Sequence, residues 1–98
     1  MKTPYKLFGH ECGEGWIPLI EELIKDLKEL GWDGDIQQVK EKFGGLRFYI
    51  NGGSNAVFAR IDKAEADSYK ICETCGEAGI LRTDRNWVRT LCDKHNNP

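Results

Sequence analysis

Three cysteines and a histidine near the end of the chain constrain its fold more than any other feature. Cys72 and Cys75 form a C-x2-C pair, and Cys92 and His95 form a C-x2-H pair after sixteen intervening residues. Thiolate sulfur and imidazole nitrogen are ligands that zinc prefers, and four of them complete a closed tetrahedral site. The spacing therefore predicts a structural Zn²⁺ ion held by these four side chains, with a redox pair or a disulfide as the alternative.

The chain is short enough for a bound metal to matter for stability. Its 98 residues predict a single domain, 1–98, with a small core, and a metal commonly compensates at this size. Apolar residues make up 40% and charged residues 31%, which is typical of a folded protein. No apolar run approaches the roughly 20 residues that cross a bilayer, and the start lacks the apolar stretch of a secretory signal. We therefore expect a cytoplasmic protein with no membrane partner, where reducing conditions favour metal over disulfides.

The patterns divide this α+β chain into three parts. They are an irregular N-terminal segment (1–15), a helix–hairpin–helix core (16–69) and a C-terminal zinc module (70–98). In the first part, His10 and Cys12 have no visible partner half-site, and two ligands alone rarely hold zinc. We interpret them as a loop histidine and a free thiol, with a second metal half-site or a nucleophilic cysteine as alternatives.

Two helices are predicted from apolar residues that recur at steps of three and four. The first spans 16–30, with Pro18 in its first turn and Gly31 after its end. Its predicted buried face comprises Trp16, Ile20, Leu23, Ile24, Leu27 and Leu30. The second helix follows the N-cap Ser54 and runs over about 55–69. Its apolar seam comprises Val57, Ile61, Ala64, Ser68 and Ile71.

Between the helices, apolar and polar residues alternate over 36–50 on both sides of Gly44-Gly45. This pattern predicts a β-hairpin in which the two glycines form the turn, because both can adopt positive φ. The predicted buried face holds Val39, Phe43, Leu46, Phe48 and Ile50. The opposite face holds Lys40, Lys42, Arg47 and Tyr49, an ordinary exposed face that could also contact RNA.

Short strand-like runs at 80–82 and 87–91 lie between the two metal half-sites and flank a polar turn at 83–86. Cys92 is predicted to open a final helical turn that places His95 on the same face. A knuckle, a hairpin and ligands at a helix start describe a treble-clef-like module. A zinc ribbon is the alternative, because few residues remain for a helix.

Two classes of enzyme use similar motifs and are not favoured. Treble-clef nucleases of the His-Asn-His type need a catalytic histidine in the hairpin, and residues 76–91 contain none. Zinc deaminases use H-x-E with P-C-x-x-C and an open coordination position. Here His10 and Glu11 are adjacent, and Ile71 precedes Cys72 where that motif has proline. We therefore predict no catalytic residues and a non-enzymatic protein.

The charge distribution argues against nonspecific nucleic-acid binding. The net charge is −2, and residues 1–35 carry four Lys against eight Asp and Glu. Residues 36–69 and 70–98 each carry five basic and four acidic groups, and no segment is strongly basic. Candidate contacts to a partner or to nucleic acid are Lys40, Lys42, Arg47, Arg82, Arg85, Arg89 and Lys94. Candidate aromatic anchors, which are more often core residues, are Trp16, Trp32 and Trp87.

Four segments together resemble a family of small uncharacterised proteins from bacteriophages, prophages and bacterial genomes. They are GWIPLI at 15–20, KEKFGGLRFYI at 40–50, CETCG at 72–76 and TLCDKH at 90–95. The KFGGLRFY hairpin and the two half-sites are the most specific of these. The resemblance implies a small phage-encoded accessory protein in the host cytosol. It also implies a metal role for Cys72, Cys75, Cys92 and His95, and it carries no activity.

We therefore predict a zinc-binding accessory protein that acts by protein–protein interaction, as a modulator or inhibitor of a host or defence protein. The partner would be a host or phage protein. A nucleic-acid-binding zinc module is the alternative. Nothing in the sequence specifies an oligomeric state.

Overall fold

A computed structural model describes residues 14–85 and 87–96. A short 3-10 helix, Glu14–Trp16, leads into α1 (Ile17–Glu29). The remaining elements are β1 (Ile36–Lys42), β2 (Gly45–Ile50), α2 (Asn55–Ser68), β3 (Ile80–Arg82) and β4 (Arg89–Leu91). β1 and β2 form one antiparallel sheet, and β3 and β4 form another. The predicted α+β order of helix, hairpin, helix and strands is confirmed.

The described ranges contain no helix that is both long and apolar enough to cross a membrane. The predictions for His10 and Cys12, and most of the predicted irregular segment, lie outside the described residues.

The core forms where α2 packs against β2 and α1, and one cluster contains apolar side chains from all three. The predicted buried faces of both helices are confirmed with one exception, since Leu30 is 45% exposed. Leu30 caps α1, and the chain then turns at Gly31, which has a φ of 94°. The Trp32 N–H returns to donate to the Leu27 carbonyl at 3.0 Å. Trp32 is buried, and it fills the core beyond the end of α1.

The turn of the β1–β2 hairpin lies one residue earlier than predicted. Its central residues are Phe43 and Gly44, with φ values of 53° and 84°, as in the type I′ turns that suit hairpins. The pairing therefore places Val39 opposite Phe48, and Lys42 opposite Gly45. The buried face is as predicted for Val39, Leu46 and Phe48, whereas Ile50 is partly buried and Phe43, in the turn, is 70% exposed.

Gly45 therefore belongs to β2, where packing requires a glycine, since a Cβ would lie 2.3 Å from the Tyr69 ring and hydroxyl. The edge of β2 is also fixed by side chains of α2. The Leu46 N–H donates to Ser68 Oγ at 2.9 Å, and the Phe48 N–H donates to Glu65 Oε2 at 3.0 Å. Burial raises the pKa of the Glu65 carboxyl, although the Phe48 N–H acts in the opposite direction. These bonds satisfy strand-edge groups that would otherwise invite another strand.

Candidate metal centre

The first half-site is a tight turn that follows α2 directly. Ile71 forms an isolated antiparallel bridge with Ala78, and the Cys72 N–H donates to the Glu77 carbonyl at 2.7 Å. The Gly76 N–H donates back to the Cys72 carbonyl at 2.8 Å. Gly76 has a φ of 85°, a conformation that costs glycine little. The turn brings the first two sulfurs to the same side of the chain.

The second half-site follows β4, whose pairing with β3 places Ile80 opposite Leu91. β4 is shorter than the predicted run at 87–91, since it begins at Arg89. The predicted helical turn is a single turn in which the His95 N–H donates to the Cys92 carbonyl at 3.2 Å. Residues 92–96, the described part of the chain after β4, contain no helix. The helix of a treble clef is thus not among the described residues.

The structure brings the four predicted ligand side chains together. Their ligand atoms all lie within 4.8 Å of one another, and Cys72 is buried while Cys75 is exposed. Cys75 Sγ lies 3.7 Å from Cys92 Sγ. His95 Nδ1 lies 3.2 Å from Cys92 Sγ and 3.8 Å from Cys72 Sγ. This group could hold one metal ion, because each side chain offers one ligand atom and the four atoms are close together.

Backbone N–H groups stabilise the thiolate form of the buried Cys72 side chain, which favours a bound cation. Burial raises the pKa of Cys72, but the N–H groups of Cys92, Cys75 and Thr74 outweigh it and lower that pKa to about 6. For Cys75, the Glu77 N–H lowers the pKa, yet desolvation and the two neighbouring sulfurs leave it raised. As the pH rises, the buried Cys72 sulfur therefore becomes negatively charged before the Cys75 sulfur. This charge favours a metal ion, because thiolates and not thiols are metal ligands.

No pattern in the sequence predicts that the 3-10 helix before α1 packs on the first half-site. The Gly15 N–H donates to the Glu73 carbonyl at 2.7 Å, and Trp16 Nε1 donates to the Ile71 carbonyl at 2.9 Å. Gly15 must approach closely, since a Cβ there would lie 2.1 Å from the Cys72 carbonyl oxygen. A glycine before a core tryptophan was the only available signal.

Glu73, between the first two cysteines, is another residue that sequence reasoning missed. It is 2% exposed, and its carboxylate accepts from Arg89 Nε at 2.6 Å. Its N–H donates to the Thr90 carbonyl at 3.0 Å, which ties the first half-site to β4. The bond to Glu73 raises the pKa of the Arg89 guanidinium. Arg89, a predicted contact to a partner or to nucleic acid, thus forms an ion pair within the chain.

The other predicted arginine contacts are also engaged within the chain. Arg47 donates to the Tyr69 hydroxyl at 3.4 Å, Arg82 to Asp93 at 2.8 Å and Arg85 to Asn96 at 3.3 Å. The lysines differ, because no ion pair of the described residues includes Lys40, Lys42 or Lys94. Lys40 and Lys42 each lie over an aromatic ring, at 5.9 Å from the Tyr49 centroid and 5.7 Å from the Phe43 centroid.

The three tryptophans separate into two groups. Trp16 and Trp32 are core residues, with 0% and 6% exposure. Trp87 is 67% exposed, so it alone of the three is available as an aromatic anchor.

Comparisons with protein-family models, with curated proteins and with solved structures found no match. The resemblance to small phage and bacterial proteins therefore stays a prediction, and only the residues of this chain bear on its function.

Proposed function

We propose that this protein is a small, non-enzymatic module that a structural zinc ion stabilises and that acts by binding another protein. As the resemblance of its motifs suggests, it would be phage-encoded and would modulate or inhibit a host or defence protein. The chemistry of the four ligands supports the metal, and the exposed side chains support the mode of action.

The spacing of the ligand atoms suits zinc. With a Zn–S bond of about 2.3 Å, a regular tetrahedron separates two sulfurs by about 3.8 Å, and the Cys75–Cys92 sulfur distance is 3.7 Å. A sulfur and an imidazole nitrogen would be separated by about 3.5 Å, and the two distances to His95 Nδ1, 3.2 and 3.8 Å, lie on either side of this value. Soft thiolates also select zinc over magnesium or calcium.

A structural role follows from the number of ligands. Cys72, Cys75, Cys92 and His95 would fill all four positions of a tetrahedral ion, so no position remains for a reactive water. The ion would act as a Lewis acid only toward these four side chains. The chain itself holds the two half-sites together through the Glu73–Arg89 ion pair and the β3–β4 hairpin.

The single observation that favours a protein partner is that the predicted contact arginines form hydrogen bonds within the chain. Nonspecific affinity for nucleic acid depends on cations that are free to neutralise phosphates. Four of the seven predicted contact residues donate to groups of the same chain instead, namely Arg47, Arg82, Arg85 and Arg89. What remains exposed is partly aromatic, as in Phe43 and Trp87. Aromatic anchors are enriched at the centres of protein interfaces.

The metal is tested by removing it. We expect one zinc per chain by elemental analysis, and we expect a chelator or Cys75→Ser to unfold at least the predicted module, 70–98. Structural zinc contributes folding free energy on the order of 10 kcal/mol in finger-like peptides. Near-UV circular dichroism should change in both cases, because the buried Trp16 donates to the Ile71 carbonyl beside the first half-site. An unchanged spectrum in chelator would contradict a structural zinc.

The mode of action is tested by affinity capture with the zinc-loaded chain, using Cys75→Ser as the matched control. We expect a stoichiometric protein partner with the wild-type chain and none with the control. A gel-shift assay with DNA and RNA at low salt should show no complex. A salt-dependent shift, or the absence of any partner, would contradict the proposal.

A further inference from the structure

An exposed groove lies where the tip of the β1–β2 hairpin meets the chain that leads into β4. It has a volume of about 390 Å³ and is lined by Glu41, Lys42, Phe43, Trp87 and Val88. We propose that this Phe43–Trp87 groove binds a segment of the partner protein that carries a large apolar side chain next to a carboxylate. The inference rests on the proposed function and specifies its contact surface.

The conformation of Phe43 is the first argument. Phe43 combines a φ of 53° with 70% exposure of its side chain. Positive φ is unfavourable for a bulky residue, and this turn position prefers Asn, Asp or Gly. Exposing a phenylalanine also gives no stabilisation by burial. The residue therefore does not serve the stability of the free chain, and strained residues of this kind concentrate at functional sites.

The groove is also held rigid, which lowers the conformational entropy lost on binding. Thr90 Oγ1 donates to the Gly44 carbonyl at 2.7 Å in a buried hydrogen bond. A Cβ at Gly44 would lie 2.5 Å from Leu81 Cδ1 and 3.3 Å from Val88 Cγ1, so the turn packs tightly on the metal module. One wall belongs to the hairpin and the other to the metal module. The groove should therefore form only when the module is folded.

The charges at the rim indicate the chemistry of the partner. The Glu41 carboxylate points toward the hairpin turn and accepts a hydrogen bond from the Gly44 N–H at 2.7 Å. Lys42 is exposed and takes part in no ion pair of the described residues. Its ammonium lies 5.7 Å from the centroid of the Phe43 ring. The free ammonium of Lys42 thus lies at the edge of an apolar floor, where it complements a carboxylate next to an apolar side chain.

Single-stranded nucleic acid would also stack on aromatic rings, but its binding combines stacking with a positively charged groove. Among the described residues that line the groove, Lys42 is the only cation. Arg89, which lies beside Gly44, is held by Glu73. One free cation suits a carboxylate better than a chain of phosphates.

The test is a selection of random 12-residue peptides on the zinc-loaded full chain, followed by measurement of the affinity of the enriched peptides. We expect an apolar residue next to Asp or Glu to be enriched. Trp87→Ala and Phe43→Asn should each weaken binding about tenfold, as expected for an anchor residue. Lys42→Gln should weaken it about threefold at low salt and less at high salt. Phe58→Ala, which removes an exposed aromatic ring on α2, should leave it unchanged.

Phe43→Asn also separates binding from folding. Because asparagine tolerates positive φ, the melting temperature of this variant should equal or exceed that of the wild-type chain. A loss of binding at unchanged or higher stability can then come only from the lost aromatic contact.

Four results would overturn the inference. They are enrichment of no acid-flanked apolar motif, unchanged affinity in both aromatic variants, competition by an oligo(dT) 12-mer, and a dimer of the chain that Trp87→Ala abolishes. A cellular partner that binds both variants as well as it binds the wild-type chain would reject the groove and leave the proposed function standing. The absence of any cellular partner would reject the proposed function itself.

Discussion

Replacing Gly15 by alanine should separate the core from the first metal half-site. A Cβ at this position would lie 2.1 Å from the Cys72 carbonyl oxygen, 2.6 Å from the Gly76 nitrogen and 2.7 Å from the Glu73 carbonyl carbon. All three are backbone atoms, so no side chain can rotate away. Since Cβ contacts essentially never fall below 3.0 Å, α1 and the half-site must move apart by about 1 Å, which strains the packing.

The magnitude follows from three contributions. Overpacking of a rigid site costs about 1–3 kcal/mol, and the strained hydrogen bond from the Gly15 N–H to Glu73 costs about 1 kcal/mol more. The lower entropy of the unfolded chain with alanine returns about 0.4–1 kcal/mol. We expect the free energy of unfolding to fall by about 1–3.5 kcal/mol. For a chain of this size the melting temperature should then fall by about 4–28 °C.

Urea and thermal unfolding measure the stability, and competition with a chromophoric chelator measures the zinc affinity, which should also fall. The matched control is Gly52→Ala, because a Cβ at Gly52 would have no atom within 4 Å. It should change stability by no more than about 0.5 kcal/mol. The reasoning is refuted if Gly15→Ala is as stable as this control and binds zinc equally well.

Two further predictions follow from buried polar groups. Ser68→Ala leaves a buried N–H of β2 unpaired and should cost about 1–3 kcal/mol in urea unfolding; a neutral result would mean that water replaces the hydroxyl. Arg89→Met leaves the buried Glu73 carboxylate without its ion-pair partner and should cost about 3 kcal/mol. Asp93→Asn, at an ion pair whose Asp side chain is 95% exposed, should be nearly neutral; equal losses would contradict the difference in burial.

Local patterns in the sequence were sufficient for the helices and for the ligand set. The steps of three and four that place Ile20, Leu23 and Leu27 on one face determine which side of α1 is buried, since a helix has a fixed period. The spacing of the cysteines and the histidine was sufficient to predict the ligand set, because each pair lies in one short turn and only the two turns need to meet. Both are properties of a few neighbouring residues.

The rest depends on contacts between distant residues. Gly45 lies in β2 and not in the turn, and it is needed there because the Tyr69 ring, 24 residues away in sequence, occupies the space beside it. The arginines looked free because their acceptors lie on other turns and strands, as Glu73 does for Arg89. A count of charged residues cannot distinguish an arginine that is hydrogen-bonded within the chain from one that is free to contact a partner.

Among the described residues, hydrogen bonds join the metal module to the core, and this changes what a metal ion would stabilise. Gly15 and Trp16 bond to the first half-site, and Thr90 bonds to the hairpin turn. Metal binding is folding free energy for the residues that it orders, and these bonds extend that order to the start of α1 and to Gly44. Since Phe43 precedes Gly44 in the same turn, the conformation that exposes its ring depends on the folded module. A metal ion at this centre would therefore stabilise the proposed contact surface without taking part in the contact.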